Sequence, residues 1–291
     1  KRPRGSQLKD CQLLVLCLKN EKPYTMLFQR MFTMKRFIHI ILLVFLAALP
    51  FNYSFGEVTG PPAEGFGPLI DTSQYKVKWL DVVYSNESKT QKLDIYLPEG
   101  KGPFSLLIAV HGGAWEMGDK NDGQVTPIME VVKHGYAVAS INYRLTDEGP
   151  FPAQIYDIKA AIRFLRANAK IYNLIADKFA IWGNSAGGHL AALAGTSGDV
   201  AEVEDLNMGN KAQSSRVQAV ITWFGGFDLG AMGVSDPLVK LFGSAPAEAP
   251  ELVIKANPAT YISVDDPPFF IEHGSKDSLA PVKQSIDFAA E

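Results

Sequence analysis

The residues best suited to chemistry are a serine set between glycines, Gly183-Asn184-Ser185-Ala186-Gly187, directly after the apolar run Phe179-Ala180-Ile181-Trp182. The run has no helical period, and Leu190, Leu193 and Ala194 behind it fall on one helical face, so the spacing predicts a strand, a sharp turn and a helix. A corner of that kind lifts the serine hydroxyl off the sheet and points the free amides of the helix start at it. The chemistry it suits is acyl transfer through a serine nucleophile. A Gly-x-Ser-x-Gly pentapeptide is also an ordinary Gly/Ser turn, so the reading depends on what accompanies it.

An acyl-transfer serine needs amides to hold an oxyanion, a base to take its proton and a carboxylate to orient the base. The amides are available in His111-Gly112-Gly113-Ala114-Trp115, after the apolar run ending at Val110, where glycines let backbone N–H groups approach a ligand oxygen. Ala186, which follows the serine, offers a second donor. The carboxylate candidate is Asp277, in the turn after Phe269-Phe270-Ile271, with Asp228 as its competitor. Asp277 is favoured because it follows the later strand and stands in a turn at a strand's C-terminal end, where catalytic groups gather in open α/β sheets.

The base is the missing part. Of the five histidines, His39 lies in an N-terminal apolar segment and His134 precedes a strand. His111 heads the glycine loop and reads as shaping it. His189 lies one helical turn below Ser185 and reads as a packed structural residue, as does His273 before Asp277. None follows Asp277, although the order Ser, Asp, His is the expected one. A chain that starts at Lys1 and stops at Glu291 inside a helix reads as a fragment, cut before the last strand and the catalytic-histidine loop, and as given it is expected to be inactive.

The elements that must position these groups follow from pattern. Residues 76–84 and 92–97 read as strands, the second with Leu93, Ile95 and Leu97 alternating with Lys92, Asp94 and Tyr96. From Phe104 onward, buried apolar runs at 104–110, 136–141, 179–182, 217–224 and 269–271 alternate with helices. The clearest helix is 154–168, with Ile155, Ile158, Ile162 and Leu165 on one face, and Pro281 opens a last one with Val282, Ile286 and Ala289 together. That alternation predicts a parallel sheet covered on both sides. The stretches 198–216 and 229–258 carry no clear strand, apart from a short helix near 237–242, and are expected to border the substrate pocket.

With 47% hydrophobic and 20% charged residues and a net charge of -3, the composition is that of a globular domain and points to no nucleic-acid partner. Residues 1–33 read as upstream sequence foreign to the native product, and 34–56 as a signal peptide: Lys35-Arg36, then the apolar run Phe37 to Leu49, too short to span a bilayer. The product is therefore expected to be secreted or periplasmic, without a membrane anchor after cleavage, as one domain over 57–291. Both cysteines, Cys11 and Cys17, precede the signal, and the charge run around Glu202 to Asp205 reads as a solvated face. Asn86-Glu87-Ser88 matches a glycosylation acceptor on a pattern that any polar loop satisfies. No metal or cofactor site is expected.

Taken together, His111-Gly112-Gly113-Ala114-Trp115, Asn142-Tyr143-Arg144-Leu145, Phe151-Pro152-Ala153, Gly183-Asn184-Ser185-Ala186-Gly187-Gly188 and Asp265-Asp266-Pro267-Pro268-Phe269 resemble the esterase/lipase branch of the α/β-hydrolase superfamily. Ser214-Ser215-Arg216-Val217-Gln218-Ala219-Val220 with Trp223-Phe224-Gly225 is similar to secreted bacterial esterases of the feruloyl and acetyl-xylan type. The resemblance implies an α/β-hydrolase fold and a carboxylic-ester hydrolase acting on small-molecule or polysaccharide-linked esters. It implies Ser185 as nucleophile, Asp277 as acid, and Gly113, Ala114 and Ala186 as oxyanion donors, with Gly112 in the same loop. The histidine would lie beyond residue 291. The alternative from another class is a catalytically silent binding protein of the same fold. A serine peptidase of this fold would carry an added propeller-like domain, for which 57–291 leaves no room.

Overall fold

The computed structural model describes residues 66–291 and the backbone of 13–18. The signal segment 34–56, the start of the domain at 57–65, His39 and Cys11 lie outside the described residues. The strands are β1 (Leu13–Leu18), β2 (Val77–Val83), β3 (Lys92–Leu97), β4 (Phe104–Val110), β5 (Ala137–Ile141), β6 (Leu174–Asn184), β7 (Ala219–Trp223) and β8 (Phe269–Gly274). The helices are α1 (Thr126–Met129), α2 (Ala153–Ala167), α3 (Ala186–Thr196), α4 (Asp236–Phe242), α5 (Pro250–Ala256) and α6 (Lys283–Ala290).

One sheet runs in the order β1-β8-β7-β6-β4-β5-β3-β2. Its centre, from β5 to β8, is parallel, and β3, β2 and β1 join antiparallel at the two margins. The edge strand β1 lies within 1–33, the stretch that pattern sets apart from the domain, and its apolar run Leu13-Leu14-Val15-Leu16-Cys17-Leu18 pairs along the free side of β8.

Because side chains alternate along a strand, the parallel centre buries both faces. Leu106, Ile108, Val110, Phe179, Ile181, Val220, Phe269 and Ile271 belong to one core cluster with α2 and α3. Ile155, Ile158, Ile162 and Leu165 of α2 are fully buried in it, as their spacing predicts, each contributing about 1.5–3 kcal/mol. All eleven residues of α3 are buried. The opposite face carries Leu107, Ala109, Val138, Trp182 and Ile221, and the 3-10 turn that follows α1 packs beside β5. None of the described helices is long and apolar enough to cross a membrane.

Three readings of the sequence need correction. In α6 the inward face is Gln284, Ser285 and Phe288, while Ile286 is 47% exposed. Phe288 stacks on Phe227 at 4.5 Å and the Gln284 side chain accepts from the amides of Phe227 and Asp228, so polar contacts to the preceding loop set the helix's rotation. The stretch 229–258 contains a second helix, α5, which Pro250 opens. The charge run at 202–205 is not wholly solvated: the Glu204 carboxylate is buried between Lys159 and Arg163 of α2 and also accepts from the Ser215 hydroxyl. Arg163 further donates to the carbonyls of Asp205 (2.7 Å) and Gly209 (3.3 Å), which fastens the 198–216 loop to the helix. Burial pulls the Lys159 ammonium down to about 8, with Glu204 opposing that shift.

Candidate active site

The corner at Ser185 has the geometry its glycines imply. Ser185 has φ +52° and ψ −120°, a left-handed conformation that is strained for a residue with a Cβ. It is fixed from two sides: its amide donates to the Trp223 carbonyl of the neighbouring strand (2.9 Å), and its own carbonyl accepts from the His189 amide (2.9 Å). Gly187 is required by space. A Cβ there would fall 2.5 Å from the His111 carbonyl oxygen and closer still to that of Val110, so the first turn of α3 packs directly on the end of β4. The amides opening α3, with the positive end of its dipole, therefore sit at the serine.

The glycine loop after β4 lies against the same corner, since a Cβ built on Gly112 would come within 3.4 Å of the Ser185 Cβ. Gly113, Ala114 and Trp115 have φ +112°, +54° and +61°, three left-handed residues in succession. Among the described residues no acceptor takes the amides of Gly113, Ala114 or Ala186. Gly112, expected in the oxyanion loop beside these three, differs: its N–H donates to the Gln124 side-chain carbonyl (3.0 Å) and is already engaged. The loop is braced by Trp115, whose carbonyl accepts from the Thr146 amide (2.9 Å) and whose indole N–H donates to His189 Nδ1 (3.3 Å).

Among the described histidines, His111, His189 and His273 are held by structural hydrogen bonds. His189 is fully buried, donates Nε2–H to the Ala256 carbonyl (2.8 Å) and accepts from Trp115 at Nδ1. Burial drives its pKa down to about 4, so the ring is neutral. His111 turns Nδ1 to the Gly112 carbonyl (2.8 Å) and stacks on Tyr143 at 4.4 Å, whose hydroxyl donates to the His111 carbonyl (3.0 Å); burial lowers its pKa too. His134 is exposed at the N-terminal end of β5, away from the strand ends that carry Ser185. His273 is fully engaged beneath the acid loop. Among the described residues, then, no histidine is placed as the base of Ser185.

Asp277 stands in the turn after β8, two parallel strands from β6, a lateral span of about 10 Å that leaves room for an imidazole ring. One carboxylate oxygen accepts the amides of Leu279 (2.8 Å) and Ala280 (2.9 Å), and the other lies 3.5 Å from His273 Nε2. Burial pushes its pKa up, but the hydrogen bonds from His273 and the two amides outweigh this and hold it below the usual aspartate value. His273 is itself anchored, donating Nε2–H to the Ala280 carbonyl (2.7 Å) and accepting from the Ser285 hydroxyl (2.6 Å). The competitor Asp228 is exposed, and its carboxylate caps its own turn at the Ala231 amide (3.1 Å). Among the described residues no group of three or more His, Cys, Asp or Glu is placed to hold a metal ion.

Gln124 and the Trp115–His189 brace are supports of the candidate site that motifs do not reveal. Gln124 stands in an unremarkable polar turn, and no spacing rule links it to Ser185.

Comparison with known proteins matches the family model BD-FAE to residues 93–291. A probable carboxylic ester hydrolase of Mycobacterium tuberculosis, LipM, is 32% identical over 219 residues, covering 72% of this chain and 50% of its own. Two solved structures superpose well. A truncated carbohydrate esterase from gut microbiota has a TM-score of 0.69 at 32% identity, covering 79% of this chain and 85% of its own. A bifunctional GH43-CE protein of Bacteroides eggerthii has a TM-score of 0.65 at 37% identity, covering 72% and 30%. The chain spans about half the length of the curated relatives it matches.

Proposed function

Because the chain belongs to the BD-FAE family and has the α/β-hydrolase fold, we propose that it is the catalytic part of a serine carboxylic-ester hydrolase. The observation that carries this reading is the strained Ser185 at the start of α3, flush against a loop with unengaged amides. Ser185 Oγ attacks the ester carbonyl while a histidine, which none of the described ones is placed to be, takes its proton. The amides of Gly113, Ala114 and Ala186 receive the oxyanion, which is worth far more in a water-poor site than in solution. Collapse of the tetrahedral intermediate breaks the C–O bond. The alcohol departs with the histidine's proton, leaving an acyl-Ser185 that water hydrolyses by the same steps. Asp277, kept ionised by its hydrogen bonds, orients the histidine and stabilises its charged form.

For the substrate we propose acetyl or feruloyl esters on plant polysaccharide. The names of the two structural neighbours, both carbohydrate esterases in whole or part, support that choice.

The test is turnover of p-nitrophenyl acetate, ethyl ferulate and acetylated xylo-oligosaccharides by the full-length gene product that carries this chain, beside its Ser185→Ala variant. The variant is expected to lose about a thousandfold or more in kcat while folding normally. Undiminished turnover by the variant removes the assignment. No turnover by the parent favours a silent binding protein.

A further inference from the structure

We infer that Gln124 is a positioning residue for this reaction, clamping the glycine loop to the chain just before Ser185 and so selecting which loop amides face the oxyanion. The inference rests on the esterase reading. Gln124 Oε1 accepts two hydrogen bonds at 3.0 Å, from the Gly112 N–H and from the Asn184 side-chain amide. Gly112 opens the glycine loop and Asn184 is the residue before the nucleophile, so one oxygen ties together the two segments whose relative placement sets catalytic geometry.

The orientation of the Gln124 amide is fixed by chemistry. Its Nε2 faces the Asp122 carboxylate (3.4 Å), which can only accept, while Gly112 N–H can only donate. Asp122 is itself pinned by the Asp119 amide (2.8 Å), and Val125, the next residue, is fully buried. By taking the Gly112 N–H, Gln124 stops that peptide from turning toward a substrate and leaves Gly113 and Ala114 as the loop's donors. Three successive left-handed residues need support on both sides. Trp115 supplies it on one through Thr146 and His189, and Gln124 supplies it at Gly112.

The experiment uses the full-length gene product. Gln124→Ala is expected to lower kcat for p-nitrophenyl acetate about 10- to 100-fold. KM should stay within about threefold, and affinity for a boronic-acid transition-state mimic should fall in step with kcat. Gln124→Glu keeps both acceptor bonds but sets a carboxylate against Asp122. Because the acceptor bonds persist, its kcat should stay above that of Gln124→Ala. An activity-independent measurement accompanies these: hydrogen exchange at the Gly112 amide should quicken in Gln124→Ala. A Gln124→Ala enzyme with kcat within twofold of the parent, or with only KM raised, overturns the inference, as does unchanged exchange at Gly112. A parent that hydrolyses no ester overturns the esterase reading instead, and the exchange measurement still decides whether the clamp exists.

Discussion

The serine corner and the acid loop stand at the same end of the sheet but are built in opposite ways. Ser185 is kept in place by parts of the chain distant in sequence: the Trp223 carbonyl, the end of β4 beneath Gly187, Gln124 through Asn184, and Ala256 through His189. Asp277 is kept in place by its own neighbourhood, from His273 and Gly274 to Ala280 and Ser285. The first is a product of tertiary packing and exists only when the sheet is assembled. The second is a local knot of hydrogen bonds that leaves Leu279 86% exposed. A strained nucleophile needs the rigid setting, whereas an acid that only orients a partner can stand on a self-contained turn.

Substitution at Gly187 tests the contrast most severely. Gly187→Ala drives a methyl into the carbonyls of Val110 and His111, neither of which can retreat, and is expected to cost on the order of 4 kcal/mol in a urea unfolding experiment. A loss under 1 kcal/mol would mean the serine corner is not close-packed.

Next in size is an acid effect from His189. Its folded-state pKa of about 4 lies below the ordinary 6.5, so between these values the unfolded chain binds a proton that the folded chain refuses. Stability should then fall as pH drops from 6.5 to 4, by about 3 kcal/mol in total, and level off below. Unfolding curves across that range should show the slope in the parent and a flatter one in His189→Gln. Equal slopes would assign the acid sensitivity elsewhere.

The acid loop should give the smallest response. Ser285→Ala removes the hydroxyl that donates to His273 and should cost about 1 kcal/mol. A loss as large as that at Gly187 would show that the acid loop is no more local than the serine corner.

The same contrast explains what could be read from residue order. The strand 104–110 is legible as an unbroken apolar run and the helix behind Ile155 to Leu165 by its period. The alternation at 92–97 marks a strand that in fact buries Asp94 and Tyr96 as well as Leu93 and Ile95. Ser185 and the glycine loop are legible because left-handed corners and close backbone approach demand small residues at fixed offsets. Their supports are not. Gln124 meets Gly112 and Asn184 only after β4 and β6 pair, and no rule of spacing anticipates a contact that the sheet creates. Glu204 misleads for the same reason, since a carboxylate beside Glu202 and Asp205 looks solvated until α2 brings two cations to it. The rotation of α6 departs from the apolar period of Val282, Ile286 and Ala289 because polar contacts of Gln284 and Ser285 override it.

The helix behind the serine also bears on how such an enzyme can be altered in the laboratory. Every residue of α3 is enclosed, so none can be exchanged for a bulkier or charged one without disturbing the core, and libraries aimed there should yield mostly unfolded protein. The loop 198–216 runs from the far end of α3 to the start of β7 and is fastened to α2, whereas 229–258 follows the C-terminal end of β7, on the side of Ser185, and carries exposed positions such as Val234. Diversity directed to 229–258, with the enclosed helix left untouched, is the route by which selection could retune acceptance of one ester over another.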